Sequence, residues 1–420
     1  MTTRLGSAKN ELVTRTFAAL RHRNYRLYFA GQAVSLVGTW MQIVASGWLV
    51  LRITDSAFLL GVITAMESLP SLFLSALAGA LADAVDRRRI AIVTQSLAAC
   101  QALALGLLVV TGHATFWSVF WLATFAGVVT AIDLPTRQSL VYDLVGPEDI
   151  LNATALNSML FNAARIVGPA FAALIIARAG EAANFFTNAV SYVFVVAALA
   201  ALSVESPGAT QGVRKLTSQV AEGIGYVVHH PVLGWLFGGM VIYSIFGFNY
   251  ILLMPVIARF QLHGNASTFG LMMTSLGIGA FAGAAIMAGR RHGSLRSLLI
   301  MAFVFPLSLI VFALPHTLEL SVLACAALGI SMISFVVRFS TFLQTEVPDD
   351  MRGRTLGLYN TVLMGLAPFG ALQAGALAQA WGAERALIFG ALVCIAAAAL
   401  MLLLPKPLTR VETDTAAENA

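Results

Sequence analysis

Apolar runs long enough to cross a bilayer follow one another along nearly all of this 420-residue chain, broken only by short polar stretches. A spanning helix needs roughly 20 mainly apolar residues. Twelve segments qualify: about 27–51, 57–82, 90–111, 115–136, 152–177, 184–204, 232–257, 267–288, 295–314, 317–340, 354–380 and 384–404. The longest polar interruption, about 205–231, holds Glu205-Ser206-Pro207-Gly208 and Arg214-Lys215. Its second part sets Val213, Leu216, Val220, Ile224 and Val227 at helical intervals, which predicts an amphipathic helix on the inner membrane surface. The expected organisation is a cytoplasmic N-terminal segment (1–26), a six-helix bundle (27–204), this linker (205–231), a second six-helix bundle (232–404) and a cytoplasmic tail (405–420). The fold class is all-α, with twelve transmembrane helices in two related bundles.

Composition agrees: 59% of residues are hydrophobic and 11% charged, against about 25% charged in soluble domains. A net charge of +5 would suit a nucleic-acid partner, but the placement of the charges speaks for a lipid bilayer instead. Twenty of the 25 lysines and arginines fall in segments expected inside; Arg52, Arg178, Arg259 and Arg385 fall outside, and Arg165 lies within a span. The positive-inside tendency then puts both termini in the cytoplasm. Cys100, Cys325 and Cys394 sit in apolar runs without pairing or metal-ligand spacing. No Walker loop or H-E-x-x-H motif is present, so neither ATP-driven work nor catalysis is expected, and no cofactor or metal.

The halves are internally related. Arg137 through Pro147-Glu148-Asp149 aligns with Arg338 through Pro348-Asp349-Asp350 at an offset of 201 residues, and Gly79 and Arg87 align with Gly283 and Arg291 at 204. Duplicated halves with substrate held near the midplane are how secondary transporters are built. Charges inside hydrocarbon are costly, so Gly79-Ala80-Leu81-Ala82-Asp83-Ala84-Val85-Asp86-Arg87-Arg88-Arg89 must form a tight turn at a membrane face.

Three positions bring charge to depth. Arg165 lies near the middle of span 5, with Asn162 and Asn157 on nearby faces, and needs a partner; Glu67 and Asp133 are the candidates. It serves either as a structural ion pair or in handling an anionic group or protons. Glu67 is the carboxylate set well within a span, suited either to proton antiport or to facing a water-filled vestibule. Asp133 and Arg137 are spaced four apart, a helix-spaced pair expected at the cytoplasmic rim. Pocket lining is expected from Trp40 and Gln42 in span 1, Tyr243, Phe246 and Asn249 in span 7, Ser334 in span 10 and Asn360 in span 11, beside Asn157 and Asn162. Such an aromatic, sparsely polar set suits a bulky amphipathic molecule; each aromatic has the alternative of an interfacial belt.

Phe17, Leu20-Arg21, Asn24-Tyr25-Arg26, Gly31-Gln32, Thr54-Asp55-Ser56, Asp133-Leu134-Pro135-Thr136-Arg137-Gln138 and Asn162-Ala163-Ala164-Arg165-Ile166-Val167-Gly168-Pro169 make the chain resemble the major facilitator superfamily. Within it, the resemblance is to the efflux branch that includes enterobactin and macrolide exporters. The superfamily loop G-x-L-x-D-R-x-G-R-R/K is matched at Gly79, Asp83, Arg87 and Arg88 and departed from at Ala84 and Asp86. The resemblance implies a conformational gate at those four residues, with Asp83 docking on the start of span 11 near Gly353-Arg354. It also implies a monomeric, proton-coupled exporter of a small molecule, a drug or siderophore, in a bacterial inner membrane. Alternatives are a lipid- or lysolipid-moving facilitator and a non-transporting receptor or accessory scaffold.

Overall fold

The computed structural model describes residues 17–203, 214–288 and 294–402; the side chains of 75–84 and 214–221 lie outside that description. Among the described residues, eleven helices are long and apolar enough to cross a membrane. One of them, Phe116–Ala179, has 64 residues, which at 1.5 Å per residue is about three times the hydrocarbon thickness. It is two spans meeting at Gly146, whose φ of 72° and ψ of 179° break the helix. Only glycine adopts that backbone cheaply, and Pro147 restarts the helix because its missing N–H is no loss in a first turn. Spans 4 and 5 therefore meet without the intervening loop expected over 137–151, at residues 116–145 and 147–179.

The remaining spans are Arg23–Thr54 (span 1), Ala57–Ala84 (span 2), Arg87–Val110 (span 3), Glu181–Ala200 (span 6), Pro231–Gln261 (span 7), Ala266–Ala288 (span 8), Leu295–Ala313 (span 9), Leu318–Glu346 (span 10), Asp349–Trp381 (span 11) and Ala383–Met401 (span 12). Two are irregular. Span 7 passes through π-helical turns at Tyr243–Gly247 and Ile257–Gln261. Span 11 breaks at Leu366, where Pro368 has no N–H to give the preceding turn. Broken backbone at membrane depth is tolerated where it lines a cavity or is buried in protein.

Within the first half, spans 1, 3 and 6 pack together and spans 2, 4 and 5 close the body; spans 8, 9, 10 and 12 do likewise in the second. The halves meet along span 2 with span 11 and span 5 with span 8. Keeping the orientation expected from the charges, this seam is tight on the outer side. Gly61 packs on the carbonyl of Ala371 and on Gly375, so close that a β-carbon on Gly61 would stand 2.6 Å from that oxygen. Ser56 Oγ donates to Gln379 Oε1 at 3.0 Å, Ser267 Oγ donates to the Ala173 carbonyl at 2.9 Å, and Arg259 pairs with Asp55. On the inner side, a β-carbon on Gly353 or Gly357 of span 11 would meet nothing within 4 Å among the described residues.

The linker helix Arg214–His229 rests on the start of span 11, with Glu222 bridged to Arg354 at 2.8 Å and Gly223 against the Arg354 backbone. The core of the second half is aromatic: Tyr243 stacks on Phe335 at 4.7 Å and Phe339 on Tyr359 at 5.1 Å, with Phe305 alongside.

Candidate functional site

One cavity lies between the halves, and a second is lined by the first half alone. The central one, about 350 Å³, is lined by Gln42, Glu67, Gln101, Asn188 and Tyr192 from the first half and by Phe248, Asn249, Pro255, Phe269 and Ala371 from the second. Below it, an inner vestibule of about 700 Å³ is lined by Tyr28, Gln32, Arg137, Asn157, Phe161 and Asn162, with other residues of spans 1, 4 and 5. Span 1 serves both. Tyr28, Gln32 and Leu36 line the vestibule, and Thr39, Ile43, Ser46 and Val50 the central cavity. Steps of three and four residues put all seven on one stripe of the helix.

Glu67 opens into the central cavity, and among the described residues no cation pairs with it. Opposite it runs a chain of amides. Asn188 Nδ2 donates to Gln42 Oε1 at 2.7 Å, Gln42 Nε2 to Gln101 Oε1 at 2.9 Å, and Gln101 Nε2 to the Leu122 carbonyl at 3.4 Å. Gln101 and Asn188 were not singled out from sequence, although amides in the middle of apolar spans 3 and 6 carry the same cost signal that marked Arg165.

Asp133 is buried, 4% exposed, and pairs with Arg137. Thr94 Oγ1 donates to Asp133 Oδ1 at 2.7 Å, and Arg137 Nη1 donates to Gln32 Oε1 at 2.8 Å. Span 4 runs on to residue 145, about two helical turns past this pair.

Arg165 is buried as expected, but neither carboxylate named for it is its partner. Asp133 is engaged by Arg137, and Glu67 faces the cavity. The guanidinium instead lies over the ring of Trp40, 5.8 Å from its centroid, with Tyr250 of span 7 in electrostatic reach. An aromatic face attracts a cation and, when desolvated, is worth about 2 kcal/mol. Trp40 thus belongs to the wall between spans 1 and 5, edge-on to Phe161 at 5.6 Å and against Gly168.

The expected pocket residues divide. Gln42 and Asn249 line the central cavity; Asn157 and Asn162 line the vestibule. Tyr243 is fully buried in the second half, donating to the Ala302 and Cys394 carbonyls. Phe246 meets Phe389 of span 12, and Ser334 is buried and turned back to the Ile330 carbonyl. Asn360 is exposed and lines neither cavity.

Of the gate residues, Gly79 and Asp83 lie in the stretch of span 2 whose side chains are outside the description. Arg87 Nη1 meets both carboxylate oxygens of Asp143 in span 4, at 2.8 and 2.9 Å. Arg88 Nε donates to the Leu199 carbonyl at 2.7 Å, capping span 6, while Asp86 caps span 3. Both arginines therefore tie the turn to its own half. Beyond them, Arg259 and Asp55 link the halves across the outer side, and Arg259 also lies over Trp48 and Phe260.

The profile of the transmembrane secretion effector family matches residues 14–420. The chain is 25% identical to the staphyloferrin A transporter of Staphylococcus aureus (strain NCTC 8325 / PS 47) across 86% of this chain and 91% of that one. It is 25% identical to the multidrug efflux pump Tap of Mycolicibacterium fortuitum, across 88% and 92%, and 23% identical to the enterobactin exporter EntS of Citrobacter koseri (strain ATCC BAA-895 / CDC 4225-83 / SGSC4696), across 91% and 92%. In fold it is similar to the nucleoside transporter NupG, with TM-score 0.73 and 12% identity over 90% of this chain and 98% of that one. It is also similar to a bacterial homologue of the human lysosomal transporter Spinster in an inward-facing, occupied conformation, with TM-score 0.69 and 14% identity over 91% and 96%. The closed outer seam, the cavity between paired six-helix bodies and the full-length match agree: the chain belongs to the transmembrane secretion effector family of the major facilitator superfamily.

Proposed function

We propose that this transporter exports a bulky amphipathic organic molecule from the cytoplasm across a bacterial inner membrane, exchanging it for protons by alternating access. It acts as a monomer with both termini cytoplasmic. The observation that carries this reading is a single carboxyl group, Glu67, set in a cavity between the two halves. That cavity is closed toward the outer side by the seam of Gly61, Ala371 and Gly375, and has the vestibule beneath it.

The chemistry follows from that placement. A carboxyl reached by water from one side at a time can take up a proton when the outer side opens and release it when the inner side does. Substrate exchanges at the same cavity, so the rocking of the halves couples the two fluxes. The Asp133–Arg137 pair, held by Thr94 and Gln32, keeps the inner half of the first body in one arrangement. Asp83 is assigned the inner latch, contacting the start of span 11 when that side closes. The efflux relatives support export over uptake.

Reconstitution in proteoliposomes tests this. An imposed pH gradient is expected to drive movement of an amphipathic fluorescent dye against its own gradient. Glu67→Gln should abolish the gradient-driven part while leaving downhill exchange at saturating dye. Flux equally fast with and without the gradient would overturn proton coupling and favour the lipid-facilitator alternative.

A further inference from the structure

The lining of the central cavity is unequal in charge. Glu67 is its one charged side chain, and among the described residues nothing neutralises it. Arg165, the buried cation of span 5, is not among the lining residues and is occupied by Trp40. Aromatic rings of Phe248, Phe269 and Tyr192 also face the space.

The amide chain is directional. The Leu122 carbonyl can only accept, which turns the Gln101 nitrogen toward it and the Gln101 oxygen toward Gln42. The Gln42 oxygen in turn faces Asn188. Each glutamine oxygen already takes one of these bonds, and each glutamine nitrogen keeps a second N–H for an acceptor on a ligand. A volume of about 350 Å³ falls within the ~300–1,000 Å³ of pockets that hold drug-sized molecules.

From this lining we infer that the transported molecule is an organic cation whose positive centre sits against Glu67 and the aromatic rings, with an acceptor oxygen toward Gln42 and Gln101. The inference rests on the transport reading and narrows it. Of the substrate kinds carried by the efflux relatives, an anionic chelator fits this cavity poorly, because bringing a second negative charge beside an unpaired carboxylate is repulsive at low dielectric. A single positive centre, by contrast, supplies the missing counter-charge. Aromatic faces add attraction for a cation that has shed its water.

A pair of probes alike in shape and opposite in sign separates these cases: tetraphenylphosphonium and tetraphenylborate. Equilibrium binding of radiolabelled tetraphenylphosphonium to the purified full-length chain in detergent, with protein-free micelles as blank, should be saturable and not displaced by tetraphenylborate. Glu67→Gln should weaken it by about tenfold or more, while Glu67→Asp, which keeps the charge, should hold affinity within about threefold and so report a folded site. Displacement by tetraphenylborate as effective as by unlabelled tetraphenylphosphonium, unchanged affinity in Glu67→Gln, or no saturable binding would each overturn the inference. In the unaltered chain, saturable cation binding without any gradient-driven flux would strike the export reading alone. Proton-driven flux of a dye with no preference for cations would strike this inference alone.

Discussion

In the first half Arg137 is paired with Asp133, four residues earlier, and that carboxylate also takes a hydrogen bond from Thr94. At the matched positions of the second half, 201 residues on, Arg338 is buried where Arg137 is half-buried, and Ser334 stands where Asp133 would be. Arg338 donates instead to Ser297 Oγ at 2.8 Å. Two halves of common architecture thus hold a matched arginine with a counter-charge in one and, among the described residues, without one in the other. The contrast extends to the central cavity. Its carboxylate, three of its four amides and its tyrosine come from the first half, while the second contributes Asn249 and an otherwise apolar wall. Behind that wall lies the stack of Tyr243, Phe335, Phe339 and Tyr359. Chemistry has been left to one body, and the other is a stiff counterface.

The largest effect expected from breaking this contrast is at Asp133. Asp133→Leu leaves the half-buried Arg137 guanidinium without its carboxylate and should cost about 3 kcal/mol, the low end for a buried pair, read as a drop in thermal unfolding temperature in detergent. Ser334→Ala, at the matched site, should cost about 1 kcal/mol or less; equal losses would dissolve the asymmetry. Replacing both Asp133 and Arg137 by leucine should recover most of the first loss.

Next in size is the outer seam. Gly61→Leu drives a side chain into the Ala371 carbonyl and should disfavour the outer-closed state by about 1–3 kcal/mol. Labelling of Ile63→Cys by an impermeant maleimide should rise accordingly, and unchanged labelling would mean the seam is not what closes that side. Arg259→Ala removes the bridge to Asp55 across the same seam. It should act in the same direction by roughly 1 kcal/mol, because that pair is partly solvated. Smallest is Glu222→Ala, which releases Arg354 at the exposed linker helix. A few tenths of a kcal/mol is expected there, and a shift as large as that of Asp133→Leu would give the linker an unforeseen structural role.

Much of the architecture was legible because lipid imposes a length rule: each run of about 20 apolar residues is a span, and the repeat of Arg137–Pro147 in Arg338–Pro348 marks the two bodies. The turn between spans 4 and 5 was less so. Residues 137–151 look polar enough for a loop, yet they continue both helices because Gly146 and Pro147 turn the chain in one step. The pocket was harder still. In water an apolar stripe marks the buried face, but in a bilayer the lipid-facing side is apolar too, so nothing in spacing distinguishes Tyr243, which is core, from Asn249, which faces the cavity. Arg165 misled for a different reason. Its burial was plain, but the search for a carboxylate overlooked that a tryptophan face can hold a guanidinium.

The stripe on span 1 has a bearing on how cargo moves. From Val50 down to Tyr28 the same face of one helix borders first the upper chamber and then the lower, with successive side chains roughly 5–6 Å apart. A molecule longer than that interval touches the next foothold before it lets go of the last. Its passage is then a glide over closely spaced resting places rather than a leap across an empty hall.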